Sequence, residues 1–371
     1  MTQFADSRYF IDNSRLIIEA TVQAGADVFI GYPITPANLL YLYASKRFPV
    51  VLPAPDEITT LQWMAGYAAA GRLPVTATSY PGLALMIESI GMSHMMELPM
   101  VIILAQRLGP ATGTATGGAT GDLLLINGIN SGGYPIPTLC ISDPRDAWDI
   151  SAKAVQLADR LRCPVILLAS KETVMTVQDV DPAVMTPIEP LKRRFYTGEG
   201  KYLPYAPEAD SVPPLLPVDN TRHQVRITAS THDCKGDLQH TTPEALANSR
   251  RLAEKVEKNI DSYTFYDWND AAGETVVVAY DVTAAAAREA VDRLCSDGKK
   301  VSLLIPKTLF PVPPKYLEIL GRYKKVIMVE ENMQGQYREI LFGKSARSGV
   351  CSVTAVGRLI TPEEIIAEVL S

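Results

Sequence analysis

The sequence has no C-x-x-C pair; its five cysteines, Cys140, Cys163, Cys234, Cys295 and Cys351, lie far apart. Spacing of that kind disfavours a metal or iron–sulfur ligand set within the chain. Isolated cysteines in apolar segments read as reduced core residues, which suits a cytoplasmic setting. No apolar run reaches the roughly 18 residues that a membrane-spanning helix needs. Residues 1–9 are polar and mixed in charge, unlike a secretory signal. There is no G-x-x-x-x-G-K-[ST], no G-x-G-x-x-G after a strand and no G-x-S-x-G, so P-loop, Rossmann dinucleotide and nucleophile-elbow chemistry are all disfavoured. The four histidines, His94, His223, His232 and His240, are scattered and form no constellation. A net charge of −6 argues against a large nucleic-acid footprint.

What is present is an ordinary globular composition, 47% hydrophobic over 371 residues, long enough for two or three domains. Short apolar runs alternate with helical patterns, which predicts a doubly wound α/β fold. Strands are expected at 27–30, 50–52, 75–79, 100–104, 138–141 and 164–168. Helices are expected over 12–25, 57–71, 83–96 and 147–161, with a break at Tyr80-Pro81-Gly82. The reading gives a first domain over 1–181 and a Pro-rich linker over 182–224, extended on the surface. A smaller α/β domain follows over 225–371, with strands at 275–280, 300–305, 325–329 and 351–356. The charges of helix 243–259 (Arg250, Arg251, Glu254, Lys255, Glu257, Lys258) read as a solvated face. The Met-rich helix reads more readily as core filling than as a cofactor lining.

One stretch organises the rest. Gly31-Tyr32-Pro33-Ile34-Thr35-Pro36 follows a buried strand and precedes a helix, at the end of a parallel sheet where ligands are usually placed. Its two prolines hold Thr35 at a rigid corner, either as a ligand contact or simply as a helix cap. Glu57, Ser79 and Arg107 fall at the carboxyl ends of other strands of the same sheet, so all four converge on one rim. Arg107 offers a planar, permanently charged fork suited to a carboxylate. Glu57 opens a helix rich in small residues and could share a proton with a ring nitrogen. Each of these could equally be a cap or a salt bridge. The Gly/Thr-rich segment 108–122 is either a flexible surface loop or one that closes over a ligand.

Several of these segments resemble one family. Tyr32-Pro33-Ile34-Thr35-Pro36, Asp56-Glu57-Ile58, Thr76-Ala77-Thr78-Ser79 with Pro81-Gly82, Gln106-Arg107 with Gly109-Pro110 and Thr112-Gly113, and Gly121-Asp122-Leu123 are similar to the alpha subunit of 2-oxoacid:ferredoxin oxidoreductases. The 2-oxoglutarate branch is the nearest. The second half continues the likeness in Thr231-His232-Asp233, Lys307-Thr308-Leu309, Glu330 with Asn332 and Gly335-Gln336-Tyr337, and Thr361-Pro362-Glu363-Glu364-Ile365.

The resemblance implies a pyrimidine-type thiamine diphosphate-binding domain followed by a transketolase C-terminal-like domain. It implies oxidative decarboxylation of a 2-oxoacid with coenzyme A, giving acyl-CoA, carbon dioxide and reduced ferredoxin, or another reduced acceptor, in anaerobic metabolism. A beta subunit would hold the diphosphate, Mg²⁺ and a 4Fe-4S cluster, with gamma and delta subunits as further partners, and the chain would be inactive alone. Glu57 matches the glutamate that bonds the cofactor's aminopyrimidine N1′; Ser79, Pro81 and Gly82 match its cofactor-side turn. Thr35, Arg107 and Thr112 match substrate contacts. No metal site is implied in this chain.

The sequence departs from the family pattern at Tyr80, Leu108, Ala111, Ser131 and Gly133, where glycine, glycine, serine, histidine and aspartate are usual. These changes point to a bulkier, less polar pocket and hence to an apolar 2-oxoacid: branched-chain, aryl such as phenylglyoxylate, or pyruvate. A non-catalytic scaffold subunit and a non-redox thiamine enzyme of transketolase or decarboxylase type are the alternatives.

Overall fold

A computed structural model describes residues 8–371. The stretch read as lacking a secretory signal lies, up to residue 7, outside them. The first half runs β1 (Tyr9–Asp12), α1 (Asn13–Gln23), β2 (Val28–Gly31), α2 (Asn38–Arg47), β3 (Val50–Pro53), α3 (Glu57–Ala69), β4 (Pro74–Thr78), α4 (Tyr80–Met95), β5 (Met100–Gln106), α5 (Leu123–Asn127), β6 (Thr138–Cys140), α6 (Pro144–Leu161), β7 (Pro164–Ser170), α7 (Lys171–Met175) and β8 (Val177–Val180). The second runs α8 (Pro243–Glu257), β9 (Tyr266–Asn269), β10 (Thr275–Ala279), α9 (Thr283–Ser296), β11 (Val301–Pro306), β12 (Thr308–Phe310), α10 (Pro314–Leu320), β13 (Lys325–Glu330), α11 (Gln336–Phe342), β14 (Val350–Thr354) and α12 (Pro362–Leu370).

The main sheet has seven strands in the order β12-β6-β7-β5-β4-β2-β3. All pairs are parallel except β12 with β6. Its central strands are apolar almost without interruption because helices cover both faces. Phe29, Val75, Val101, Ile103, Val165 and Leu167 face a core shared with α1, α2 and α6. Ile30, Met100, Ile102, Leu104, Ile166 and Leu168 face the opposite core, under α3 and α4. That second core also takes in Val276, Val278, Leu304, Val326 and Met328 of the other sheet. The two halves therefore share one apolar interior. Every such buried Leu or Ile adds about 1.5–3 kcal/mol over leaving it in water.

The smaller sheet, ordered β14-β13-β10-β11-β9, is parallel apart from β9. Its outer face packs on α9 and α12 through Val277, Val291, Leu294, Ile327 and Ile365. A short ribbon, β1 with β8, runs antiparallel beside α1. The cysteines are free, with Cys140 and Cys163 buried.

Three local expectations change. Tyr80-Pro81-Gly82 does not interrupt the chain but opens α4, because proline is tolerated in the first helical turn. Residues 182–217 are largely irregular, yet they do not merely lie on the surface. Tyr202, Tyr205, Val212 and Leu215 are buried, and Arg162 donates to the carbonyls of Pro204, Pro213 and Pro214. The charged helix α8 is not simply solvated: Arg251 and Lys255 are buried and both bond Glu97. Burial pushes the Glu97 carboxyl upward, but Lys255 and Arg251 outweigh that and hold it at about 2.

Candidate active site

From β2 the chain moves to β3 on one side, and from β4 it moves to β5 on the other. The connections diverge between neighbouring strands β2 and β4, which is where open α/β sheets form a crevice. Four of the expected site residues come to this rim. Thr35 follows β2, Glu57 opens α3 just beyond β3, Ser79 caps β4, and Arg107 ends β5.

Thr35 is not the helix cap. The first residue before α2 is Ala37, and no side chain caps that end. The Thr35 backbone is instead tied to the arginine: Arg107 Nη1 donates to the Thr35 carbonyl oxygen at 2.6 Å. Arg107 is only 6% exposed, and its Nε has no partner among the described residues. A buried guanidinium with a free N–H is poised to receive an anion, since leaving such a group unpaired is costly.

Glu57 is placed by local structure. Asp56 caps α3, its side chain accepting from Thr59 N at 2.7 Å, so Glu57 enters the first helical turn, where a carboxylate is favoured. It is 6% exposed, and among the described residues nothing donates to its carboxylate. Its side chain lies over Gly82. A Cβ on Gly82 would come within 2.7 Å of Glu57 Oε1 and clash with Thr78 Oγ1 as well. The glycine is thus required by close approach, not by backbone twist.

Ser79 is fully buried with an unpartnered hydroxyl, and Pro81 sits half-buried in the first turn of α4. Thr112 is not brought to this group. It lies exposed on the 108–122 loop, and among the described residues no hydrogen bond joins it to Thr35 or Arg107. Of the positions that depart from the family pattern, Ala111, Ser131 and Gly133 are exposed, while Tyr80 and Leu108 are half-buried.

The sequence reading assigned no site role to Gln106 or Asp122. Gln106 Oε1 accepts from Asp122 N at 3.2 Å, folding the end of the loop back onto β5. Gln106 Nε2 and Asp122 Oδ2 are both buried without partners. Burial raises the Asp122 carboxyl to about 7, against the opposing pull of Arg107. Their signal in the sequence was a lone polar residue at each end of a Gly/Thr-rich segment, which has no period to read.

The second half holds the loop. Glu331 O accepts from Thr120 N at 2.9 Å, Asn332 Nδ2 donates to Thr120 O at 3.3 Å, and Gln336 Nε2 donates to Gly121 O at 2.8 Å. Behind them the buried Glu330 carboxylate accepts from Tyr280 OH, Asn332 Nδ2, Tyr337 N and Arg338 N. The 108–122 segment is therefore clasped at its far end, not free.

Comparison with known proteins gives two family matches. Residues 19–258 match the model described as pyruvate flavodoxin/ferredoxin oxidoreductase, thiamine diphosphate-binding. Residues 273–365 match pyruvate:ferredoxin oxidoreductase core domain II. The 2-oxoglutarate synthase subunit KorA of Methanocaldococcus jannaschii is 29% identical, over 97% of this chain and 99% of its own length. The ketoisovalerate oxidoreductase subunit VorB of Methanothermobacter marburgensis is 32% identical, over 94% and 91%. Among solved structures, the 2-oxoglutarate:ferredoxin oxidoreductase of Magnetococcus marinus, with 2-oxoglutarate, coenzyme A and succinyl-CoA bound, superposes with a TM-score of 0.91 at 28% identity. That match covers 99% of this chain and 66% of the solved one.

Proposed function

This chain belongs to the pyruvate flavodoxin/ferredoxin oxidoreductase family, and from that membership we propose that it is the alpha subunit of a thiamine diphosphate-dependent 2-oxoacid:ferredoxin oxidoreductase. The assembled enzyme would cleave a 2-oxoacid oxidatively with coenzyme A to acyl-CoA and carbon dioxide, passing two electrons to ferredoxin. The observation that carries this reading is the Glu57 carboxylate, buried over Gly82 and receiving no donor from the chain. A protein seldom buries a carboxylate without a partner unless a ligand supplies one. An aminopyrimidine ring nitrogen fits that need, and the side-chain-free surface of Gly82 leaves room for it.

When bound, thiamine diphosphate supplies a carbon nucleophile and an electron sink. The residues of this chain would act around it. Glu57 would hold the proton at N1′ and so favour the base form of the exocyclic nitrogen. Ser79, Pro81 and Gly82 would shape the cofactor's side of the crevice. Arg107 would take the substrate carboxylate on its free N–H, while its bond to the Thr35 carbonyl fixes the turn and leaves the Thr35 hydroxyl available. Thr112 would reach the substrate only if the loop tip moves.

The metal, the diphosphate and the 4Fe-4S cluster are assigned to a beta subunit, with ferredoxin as acceptor. The division into residues 1–181, 182–224 and 225–371 is likewise proposed as the functional one. For the substrate, relatives named for 2-oxoglutarate and for ketoisovalerate stand at similar identity. The half-buried Tyr80 and Leu108 favour an apolar side chain as a second reading beside 2-oxoglutarate.

The test is to purify the complex anaerobically and assay 2-oxoglutarate, ketoisovalerate, phenylglyoxylate and pyruvate with coenzyme A and an artificial electron acceptor. CoA-dependent acceptor reduction with at least one of the four is expected. Its absence with all of them would refute the reading.

A further inference from the structure

Arg107 and Asp122 face one crevice but do not pair. Each is 6% exposed, Arg107 Nε and Asp122 Oδ2 have no partner, and no ion pair joins them among the described residues. Such a gap between an unsatisfied cation and an unsatisfied acid is the size and chemistry of a missing ligand group. We propose that Asp122 is a positioning residue that takes up one proton from solvent when the substrate carboxylate docks on Arg107, so that the pocket stays electrically balanced. This rests on the function proposed above.

The reasoning is charge bookkeeping in a buried space. With Asp122 ionised, the crevice already holds one cation and one anion. A docked carboxylate would add a second anion beside a single guanidinium, and an uncompensated buried charge is expensive. Protonating Asp122 removes that excess. The neutral acid also gains an O–H that can donate to the incoming carboxylate, whereas the ionised form can only accept. Burial has already moved this carboxyl to about 7, so the proton costs little near neutrality.

No other ionisable group competes for the role. Glu330 is used by Tyr280, Asn332, Tyr337 and Arg338, and Glu331 accepts from Ile360 N. Arg107 does not titrate, and a 2-oxoacid stays ionised throughout the neutral range. The acid is also held rigidly. Its backbone N–H is fixed by Gln106, and Thr120 and Gly121, just before it, are fixed by Glu331, Asn332 and Gln336.

The experiment measures kcat and KM of the assembled complex from pH 6 to 9, with whichever of the four 2-oxoacids it turns over. For the wild type, KM should rise about tenfold per pH unit above about pH 7, as one required proton dictates, with kcat changing far less. Asp122→Asn keeps a neutral donor of the same shape and should bind with a KM independent of pH. If Asp122→Asn raises KM or lowers kcat equally at every pH and leaves the slope intact, the residue is only structural and the proposal falls. Should the variant fail to assemble, the wild-type slope decides alone, and a flat KM overturns the idea. A complex that turns over none of the substrates would instead refute the functional reading itself, so the two failures are distinguishable.

Discussion

At the scale of single residues, the site depends on what glycine omits. Gly82 has an ordinary helical setting, and its importance comes from Glu57 lying where a Cβ would be. Gly82→Ala should therefore act as a partial copy of Glu57→Ala. Removing the carboxylate is expected to cut turnover of the assembled complex by at least about 100-fold, the scale of acid–base contributions, with assembly intact. Gly82→Ala should fall in the same direction by displacing Glu57, while a more distant helical substitution, Gly91→Ala, should be much milder. Steady-state assays beside size-exclusion profiles check both; wild-type turnover in Glu57→Ala would remove that residue from the chemistry. Thr35, Glu57, Ser79 and Arg107 were legible in the sequence because each ends or begins a recognisable element. Asp122 was not, because its environment is made by a loop folding back across β5 and by a clasp some 210 residues away in sequence.

At the scale of elements, the strands and helices of the main sheet could be read from apolar runs and Gly/Pro punctuation, to within a few residues. What escaped was set by partners far along the chain. In α8 the run Arg250-Arg251-Glu254-Lys255 looks like a solvated face, because nothing nearby announces Glu97, which Lys255 bonds at 2.7 Å. Glu97→Gln should destabilise the fold by about 3 kcal/mol or more, since it leaves two buried cations short of their counter-charge. The sign with pH follows from a carboxyl held at about 2 in the fold, below its unfolded value of roughly 4.3. The contribution of Glu97 is fully present above that unfolded value and is lost as pH falls toward 2. Denaturant melts of wild type and Glu97→Gln should thus differ at pH 7 and converge at strongly acid pH; an equal gap at both would contradict the ion-pair account. Strand β12 escaped for another reason: three residues, Thr308–Phe310, carry too little pattern to register.

At the scale of the whole molecule, the two halves are bound in three ways. They share the core between the sheets, the second half clasps the 108–122 loop, and β12 crosses over to pair with β6. Lys307, just before β12, adds an ion pair at 2.5 Å to Asp146 of α6. These ties predict a single cooperative unfolding transition for the intact chain by calorimetry. A polypeptide ending at residue 258 should melt lower or aggregate, because β6 would be left as an open edge beside uncovered Leu and Ile side chains. Two well-separated transitions in the intact chain would show the halves to be independent.

The crossover of β12 also constrains how this protein can be recombined. A chimera joined within the irregular stretch 182–224 would look modular, yet it would exchange the outermost strand of the amino-terminal sheet along with the donor's tail. Breakpoints placed after Phe310 preserve that strand with its native neighbour, so viable hybrids should cluster there, at the cost of splitting the smaller sheet between two parents.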